Sequence, residues 1–508
     1  MSFSSGVVGT LIPYVTSIYK EHSLTATTTI MSSLVSALIK LPYAKLMDIW
    51  GRPQAYGVMI VLMTLGLVLM AACDGVAMYC AAMVFYRVGY NGVDFTMTIF
   101  IADTSQLKNR AFWLAFTASP YIATTWAVGP AVTSILNHTG LPWGFGIFCI
   151  VNFVICIPLF CLFYYNQWKA IRMGLVPKKS SNRTFWQSMI YYVKEFDIVG
   201  LLLVAGGLSL FLLAFNLYTK QPEQWRSPLI ICFLIFGPLL LVAFVLYERY
   251  LAPITFIKWP LLKNRTVMFT YAMVASIYTS WYLWDNYFYS MLVVVFNQTV
   301  THATYIQNIY TVGSCFWAVV VGIVIRYNGR LKWHAVYFGA PLSLLGVGLM
   351  IKFREPDVNI GYIIMCQIFI AFGGGTLVIC EQMTLMAVGS QADIPALIAM
   401  ESMVVNIGNA IGSTIAAALW MDLFPAKLKK YLPVDALANF ASIYGDINVQ
   451  ASYPKGSAAR TAIDRSYSEA QRIMLITSTC LHVTTIFTTL FWEDVNVKEI
   501  KQVKGRVF

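Results

Sequence analysis

Charge is what this sequence has least of. Only 11% of its 508 residues are Asp, Glu, Lys or Arg, against roughly 25% in an ordinary soluble protein. A chain of this length with so few charges cannot cover its surface in water, which excludes a soluble globular protein. Acidic residues are the scarcer sign, 23 against 35 basic ones, giving a net charge of +12. The basic residues do not gather into a groove-sized patch between aromatics but lie in short loops between apolar runs, so a nucleic-acid partner is excluded and a lipid bilayer implied. Metal and thiol chemistry is also missing. The ten cysteines (Cys73, Cys80, Cys149, Cys156, Cys161, Cys232, Cys315, Cys366, Cys380 and Cys480) form no CxxC pair and lie in or beside apolar runs, where they read as small buried apolar residues. No Walker loop is present, which argues against ATP drive, and no nucleophile–base–acid set stands out, which argues against an enzyme.

What the sequence has is hydrophobicity, 58% of residues, with a mean hydropathy of +0.67. A spanning helix needs about 20 mostly apolar residues. Thirteen such runs begin near residues 25, 55, 76, 111, 143, 198, 229, 266, 303, 335, 359, 393 and 471. A fourteenth candidate, "MSFSSGVVGTLIPYVTSIY", has neither the basic region nor the cleavage-type ending of a signal peptide and reads as an incomplete first helix. Placing the Lys45–Arg52 loop in the cytoplasm and alternating puts most basic residues inside: Lys108, Arg110, the run Lys169–Lys194, Arg249–Arg265, Arg326–Lys332 and the tail Lys498–Arg506. The long basic segment from Pro425 to Ser468 falls outside, which long loops tolerate. Of four sequons, Asn137 and Asn297 then face outside as glycosylation candidates, whereas Asn182 and Asn264 face inside.

The expected organisation is an N-terminal bundle over residues 1–166 (helices 1–6), a basic cytoplasmic linker over 167–197, two extra helices and a loop over 198–263, a C-terminal bundle over 264–493 (helices 9–14) with a long extracellular loop at 425–470, and a cytoplasmic tail at 494–508. Two bundles suggest a transporter with its substrate site near the midplane between repeats. A weak internal echo agrees: "AKLMDIWGRPQAY" after the second helix is matched by "IRYNGRLKWHAVY" after the tenth.

Several residues stand out by chemistry. In "AKLMDIWGRP", Gly51 permits a tight turn, and Asp48 and Arg52 can pair at i,i+4, giving a conformational latch. Arg87 and Asp94 lie two turns apart on one face of the fourth helix; at membrane depth such charges face an interior or wet cavity and mark a site or proton path. Lys40 is placed to snorkel to the cytoplasmic surface. Asp285, with Trp284, Tyr287 and further aromatics around it, suits a large, partly polar ligand. Tyr444, Tyr453 and Tyr467 in the outer loop can stack and hydrogen-bond, and Lys455, Arg460 and Arg465 can attract an anion. Glu381 and Glu401 flank "GSQADIP" and are expected near the inner surface. His482 reads as a packed polar residue. "GNAIG", Gly408–Gly412, is a small-xxx-small packing seam.

The Asp-x-x-Gly-Arg loop resembles the signature after the second helix of the major facilitator superfamily. The longer stretches "SGVVGTLIPYVTS", "LIKLPYAKLMDIWGRP", "ADTSQLKNRAFWLAFTASPYIATTWAVGP", "WGFGIFCI" and "SIYGDINVQASYPKGSAARTAIDRSYSEAQR" resemble its fourteen-helix fungal siderophore-iron transporters over nearly the whole chain. The resemblance implies an all-α polytopic membrane protein: the superfamily fold with two six-helix bundles, two central helices and an apparently incomplete first helix. It also implies proton coupling at Arg87, and import of ferric siderophores, usually hydroxamates, with protons. Import would cross the plasma membrane, with endosomal or vacuolar membranes as alternatives. No protein cofactor or metal site is implied, because iron arrives already chelated. A multidrug or a glutathione proton antiporter of the same superfamily is the alternative.

Overall fold

In the computed structural model, residues 1–18, 24–174, 184–218, 221–252, 259–500 and 502 are described. The sequon at Asn182 lies outside them. The described residues are almost entirely helical. Their order begins α1 (Ser2–Ile18), α2 (Leu24–Trp50), α3 (Arg52–Ala71), α4 (Val76–Thr104), α5 (Leu107–Ala118), α6 (Pro120–Ser134), α7 (Gly140–Arg172), α8 (Phe185–Glu195), α9 (Ile198–Leu217) and α10 (Pro228–Tyr250). It continues with α11 (Trp259–Leu262), α12 (Arg265–Asp285), α13 (Phe288–Val294), α14 (Val300–Asn328), α15 (Leu331–His334), α16 (Ala340–Phe353), α17 (Ile360–Val388) and α18 (Ile394–Tyr431). The short α19 (Val434–Leu437), α20 (Phe440–Gly445) and α21 (Ile447–Ser452) lead to α22 (Ala458–Leu490).

A helix covers every one of the apolar runs. By length and apolarity alone, nine helical stretches among the described residues are able to cross a membrane. α2, α4 and α12 are not among these, and α2 and α4 carry the charged residues that drew attention in the sequence. A helix that lines a protein interior gives up apolarity, so its hydropathy understates its place in the bilayer.

The chain divides into two compact units. One comprises residues 1–264, 385–406 and 500–508, the other 265–384 and 407–499. The first is knit at its centre by α3 and α4. A Cβ on Gly89 would lie 2.2 Å from Met63 N, and one on Gly66 would lie 2.3 Å from Tyr86 N, so the two backbones touch where only glycine fits. α1 is tied to α7 by Asn152 Nδ2 donating to Ser4 Oγ at 2.9 Å.

In the second unit α18 crosses α12 through the expected glycine seam. A Cβ on Gly412 would lie 2.4 Å from Thr279 O, and Thr279 Oγ1 donates to Gly408 O at 3.2 Å. The segment expected as a long loop at 425–470 is built of helices. α18 runs on to Tyr431, α19–α21 follow, and Ile443 and Tyr467 join one apolar cluster with Trp420, Phe424 and Leu283. The echo between the two Gly-Arg turns is structural as well, because Gly51 and Gly329 both have positive φ, 104° and 81°.

Candidate functional site

Four groups of side chains carry the predicted chemistry, each within a single unit. The first is the latch. Gly51 turns the chain between α2 and α3, and Arg52 Nη1 meets Asp48 Oδ1 at 3.1 Å, as the spacing predicts. The same guanidinium has a second partner that the sequence did not suggest. Its Nε meets Asp103 Oδ2 at 3.2 Å, and the Asp103 side chain is 2% accessible against 43% for Asp48. Asp103, at the end of α4, also accepts from Gln391 Nε2 at 2.9 Å. Gln391 sits on the turn before α18 and donates again to Ala102 O. Arg110, 1% accessible, donates to the same carbonyl and to Gln502 Oε1 at 3.1 Å. The latch is therefore a network centred on a buried carboxylate, and Asp48 is its exposed edge.

The second group lies on α4. Arg87 is partly buried, and its Nε has no hydrogen-bond partner among the described residues; its charge acts on Tyr79 and Tyr86. Asp94 is accessible. The cation that acts on it is Lys40 of α2. Lys40 does not snorkel to the surface; its ammonium donates to Ser402 Oγ at 3.1 Å and also feels Glu401. Tyr43, a turn further along α2, bonds Thr96 on α4 and fixes the two helices together. The sequence put Arg87 and Asp94 on one face. The structure adds Lys40 as the cation that acts on Asp94, with Ser402 and Glu401 as the further partners of Lys40.

The third group surrounds Asp285, where α12 ends. Trp284 is 3% accessible and packs on Phe288 with centroids 5.8 Å apart. Arg354, after α16, is 2% accessible. It donates through Nη1 to Trp284 O at 3.0 Å and to Gln471 Oε1 at 2.6 Å, and lies over the Phe288 ring at 4.4 Å. Gln471 in turn donates to Tyr287 O at 2.8 Å. Asp285 is the carboxylate that acts on Arg354.

The fourth group joins most of the predicted tyrosines. Tyr287 stacks on Trp420 at 4.2 Å, Trp420 on Phe424 at 4.4 Å, and Tyr467 meets both edge-on at 4.8 Å. Tyr444 lies 6.0 Å from Phe424, and Tyr453 packs against the same cluster. Tyr467 is 3% accessible and donates to Gln450 Oε1 at 2.9 Å. The basic residues nearby are paired. Lys455 meets Asp464 at 2.7 Å and Arg465 meets Glu469 at 3.2 Å. Arg460, 1% accessible, donates to Gln450 O, Tyr453 O and Val294 O and faces Asp464 at 3.3 Å. No cluster of His, Cys, Asp and Glu with metal-holding geometry occurs among the described residues.

Residues 1–417 match the model of the Major Facilitator Superfamily. The chain belongs to this superfamily. It is therefore a multi-pass membrane transporter rather than an enzyme. It is 54% identical, over 506 residues covering 100% of this chain and 86% of the relative, to "MFS siderochrome iron transporter 1" of Ajellomyces capsulatus. It is 40% identical to "Siderochrome iron transporter 2" of Aspergillus fumigatus, covering 99% and 83% of the two chains. Among solved structures, a bacterial homologue of the iron transporter ferroportin in an outward-facing state aligns with a TM-score of 0.57 at 8% identity, covering 95% of this chain and 96% of that one. At that identity the likeness establishes the fold alone.

Proposed function

We propose that this protein imports ferric siderophores, of the hydroxamate type, by proton symport across the plasma membrane. The observation that carries the reading is the 54% identity, over the whole of this chain, to a relative named for siderochrome iron. In this reading residues 1–166 and 264–493 are the two bundles, 198–263 the extra pair of helices, and 167–197 and 494–508 cytoplasmic. Iron enters as chelated substrate, and the protein needs no cofactor.

The side chains suit a proton-coupled cycle. Asp94 is accessible at membrane depth, with Lys40 as the charge acting on it. Protonating Asp94 removes one charge from the Lys40–Asp94–Glu401 set. Arg87, with a buried unpartnered Nε, supplies the charge whose balance that event changes. Asp285, Trp284 and Tyr287 with the aromatic layer of Tyr444, Tyr453 and Tyr467 are the substrate-side candidates.

The test is uptake of radio-iron on a small panel of ferric hydroxamates in yeast lacking its own siderophore transporters, at acid and neutral pH. Uptake of one chelate, faster in acid and abolished by an uncoupler, is expected, and Asp94→Asn protein at the surface loses the acid stimulation. Efflux in place of uptake, or equal uptake at every pH, refutes proton-driven import.

A further inference from the structure

Between α7 and α9 stands a helix that none of the roles above uses. α8 has 11 residues. At 1.5 Å per residue it is about 17 Å long, too short to cross a bilayer. It is a helix in its own right. Thr184 N donates to Gln187 Oε1 at 3.1 Å and closes its first turn. At its other end Asp197, in the left-handed region at φ 44°, breaks the path before α9 begins at Ile198, so α8 is not an extension of that helix.

The two faces of α8 differ. Trp186, Ile190 and Val193, at i, i+4 and i+7, share one face and are 68%, 55% and 38% exposed. Ser188 and Glu195 lie on the opposite side. No other helix packs along α8 among the described residues. An exposed apolar stripe on a short amphipathic helix marks a surface for lipid or for a partner.

The surrounding charges favour lipid with anionic headgroups. Lys169 and Arg172 at the end of α7, and Lys194 on α8, are exposed. The acidic residues nearby are engaged within the unit. Glu195 and Glu248 act on Lys45 of α2, and Asp197 is buried, accepting from Gly200 N at 3.4 Å. Bases are thus left on the outer surface and acids are drawn inward. The flanking helices carry the marks of a bilayer boundary. Arg172 lies over the exposed Trp168 ring at 3.5 Å, beside an exposed Tyr165, and Val199 and Leu202 are exposed at the start of α9. Aromatics with a cation on one side and an exposed apolar helix on the other bracket α8 at the level of the headgroups.

We infer that α8 lies along the bilayer surface with its Trp186–Ile190–Val193 face among the acyl chains, and that Lys169, Arg172 and Lys194 hold anionic phospholipid headgroups beside it. The cytoplasmic placement of residues 167–197 proposed above makes this the anionic leaflet. The inference does not rest on the identity of the substrate.

Full-length protein in nanodiscs carries one fluorescent amino acid, introduced by codon suppression in place of Ile190 or of Ser188. With a quencher on the acyl chains, the label at Ile190 is expected to be quenched and the label at Ser188 largely spared. No quenching at Ile190, the result if another segment of this chain or a partner protein covers the face, overturns the inference, and so does equal quenching of both labels. The quencher is then placed on phosphatidylserine alone or on phosphatidylcholine alone, at equal mole fractions. The Ile190 label is expected to be quenched preferentially from phosphatidylserine. One basic residue near an anionic surface contributes about fivefold, so Lys169→Gln with Lys194→Gln lowers that preference about twentyfold, toward that of phosphatidylcholine. Both lysines are exposed, so these substitutions leave the packed unit intact. Equal quenching by the two lipids before substitution, or a preference that the double variant leaves unchanged, overturns the headgroup assignment.

Discussion

The buried half of the latch sets a ranking that the sequence signature does not. Replace Asp103 by Asn and, separately, Asp48 by Asn. Asp103 is 2% accessible and holds Arg52 Nε at 3.2 Å and Gln391 Nε2 at 2.9 Å. Asparagine has one oxygen where the carboxylate has two, so with that oxygen held by the Arg52 charge its NH2 faces Gln391 Nε2 and the bond that ties the turn to Asp103 is lost. A buried hydrogen bond to a charged group contributes about 1.5–3 kcal/mol, so about 2 kcal/mol is expected. Asp48 is 43% accessible and pairs with Arg52 at i,i+4, an arrangement that contributes about 0.3–0.5 kcal/mol. At 1.4 kcal/mol per factor of ten, losing 2 kcal/mol raises the population with the Gln391 turn detached about thirtyfold, and losing 0.5 kcal/mol about twofold. The assay is maleimide labelling of Ile394→Cys in a cysteine-free background. Ile394, three residues beyond Gln391, is 1% accessible and reacts only when the turn lifts. Asp103→Asn should accelerate labelling about thirtyfold and Asp48→Asn about twofold. Equal acceleration, or a larger effect from Asp48→Asn, refutes the assignment of Asp103 as the centre of the network.

Two further outcomes follow from packing and accessibility. Gly412→Ala places a methyl 2.4 Å from Thr279 O, a backbone atom that cannot swing aside, so α18 and α12 must part. Overpacking of this kind costs about 1–3 kcal/mol, read as a lowered melting temperature of the detergent-solubilised protein, and an unchanged melting temperature contradicts the seam. Asn137 and Asn297 are both accessible, Asn297 at a left-handed turn with φ 50°. If both face outside, glycosidase treatment of material from a eukaryotic host increases gel mobility, and Asn137→Gln with Asn297→Gln abolishes the shift; a shift that persists places sugar on another sequon and inverts the topology.

Much of the fold was legible because lipid imposes one rule, that backbone must be helical, and apolar runs obey it directly. The Gly51 turn and the Gly408–Gly412 seam were legible for the same local reason, since small residues leave a readable gap. What stayed hidden was pairing over distance. Asp103 and Gln391 are 288 residues apart, and Lys40 and Ser402 are 362 apart. No periodicity reports such contacts, so the sequence alone makes Lys40 a snorkelling lysine and does not single out Asp103. The 425–470 segment shows the converse. Its polar composition suggests an open loop with cations free for a ligand, but a composition does not say whether a charge already has its counter-ion, and Lys455, Arg460 and Arg465 all do.

That distinction separates structural charges from working ones. Arg460 and Arg87 are both arginines away from bulk water, and the sequence cannot tell them apart. Arg460 spends its donors on three backbone carbonyls and faces Asp464, joining α22 to the end of α13 and to α21. Removing one partner of such a buried set costs about 3–5 kcal/mol because the others are left unpaired. Arg87 has a buried Nε with no partner among the described residues, so the fold gains little from it and bears its desolvation. Arg460→Gln should therefore sharply reduce folded protein at the membrane. Arg87→Gln should leave melting temperature and surface abundance unchanged or raised while iron uptake falls and loses its acid stimulation. Both quantities come from the same cells, by surface biotinylation and by radio-iron uptake. An Arg87→Gln protein that fails to reach the surface would move Arg87 from coupling to structure, and an Arg460→Gln protein that accumulates normally would remove the anchoring role from Arg460.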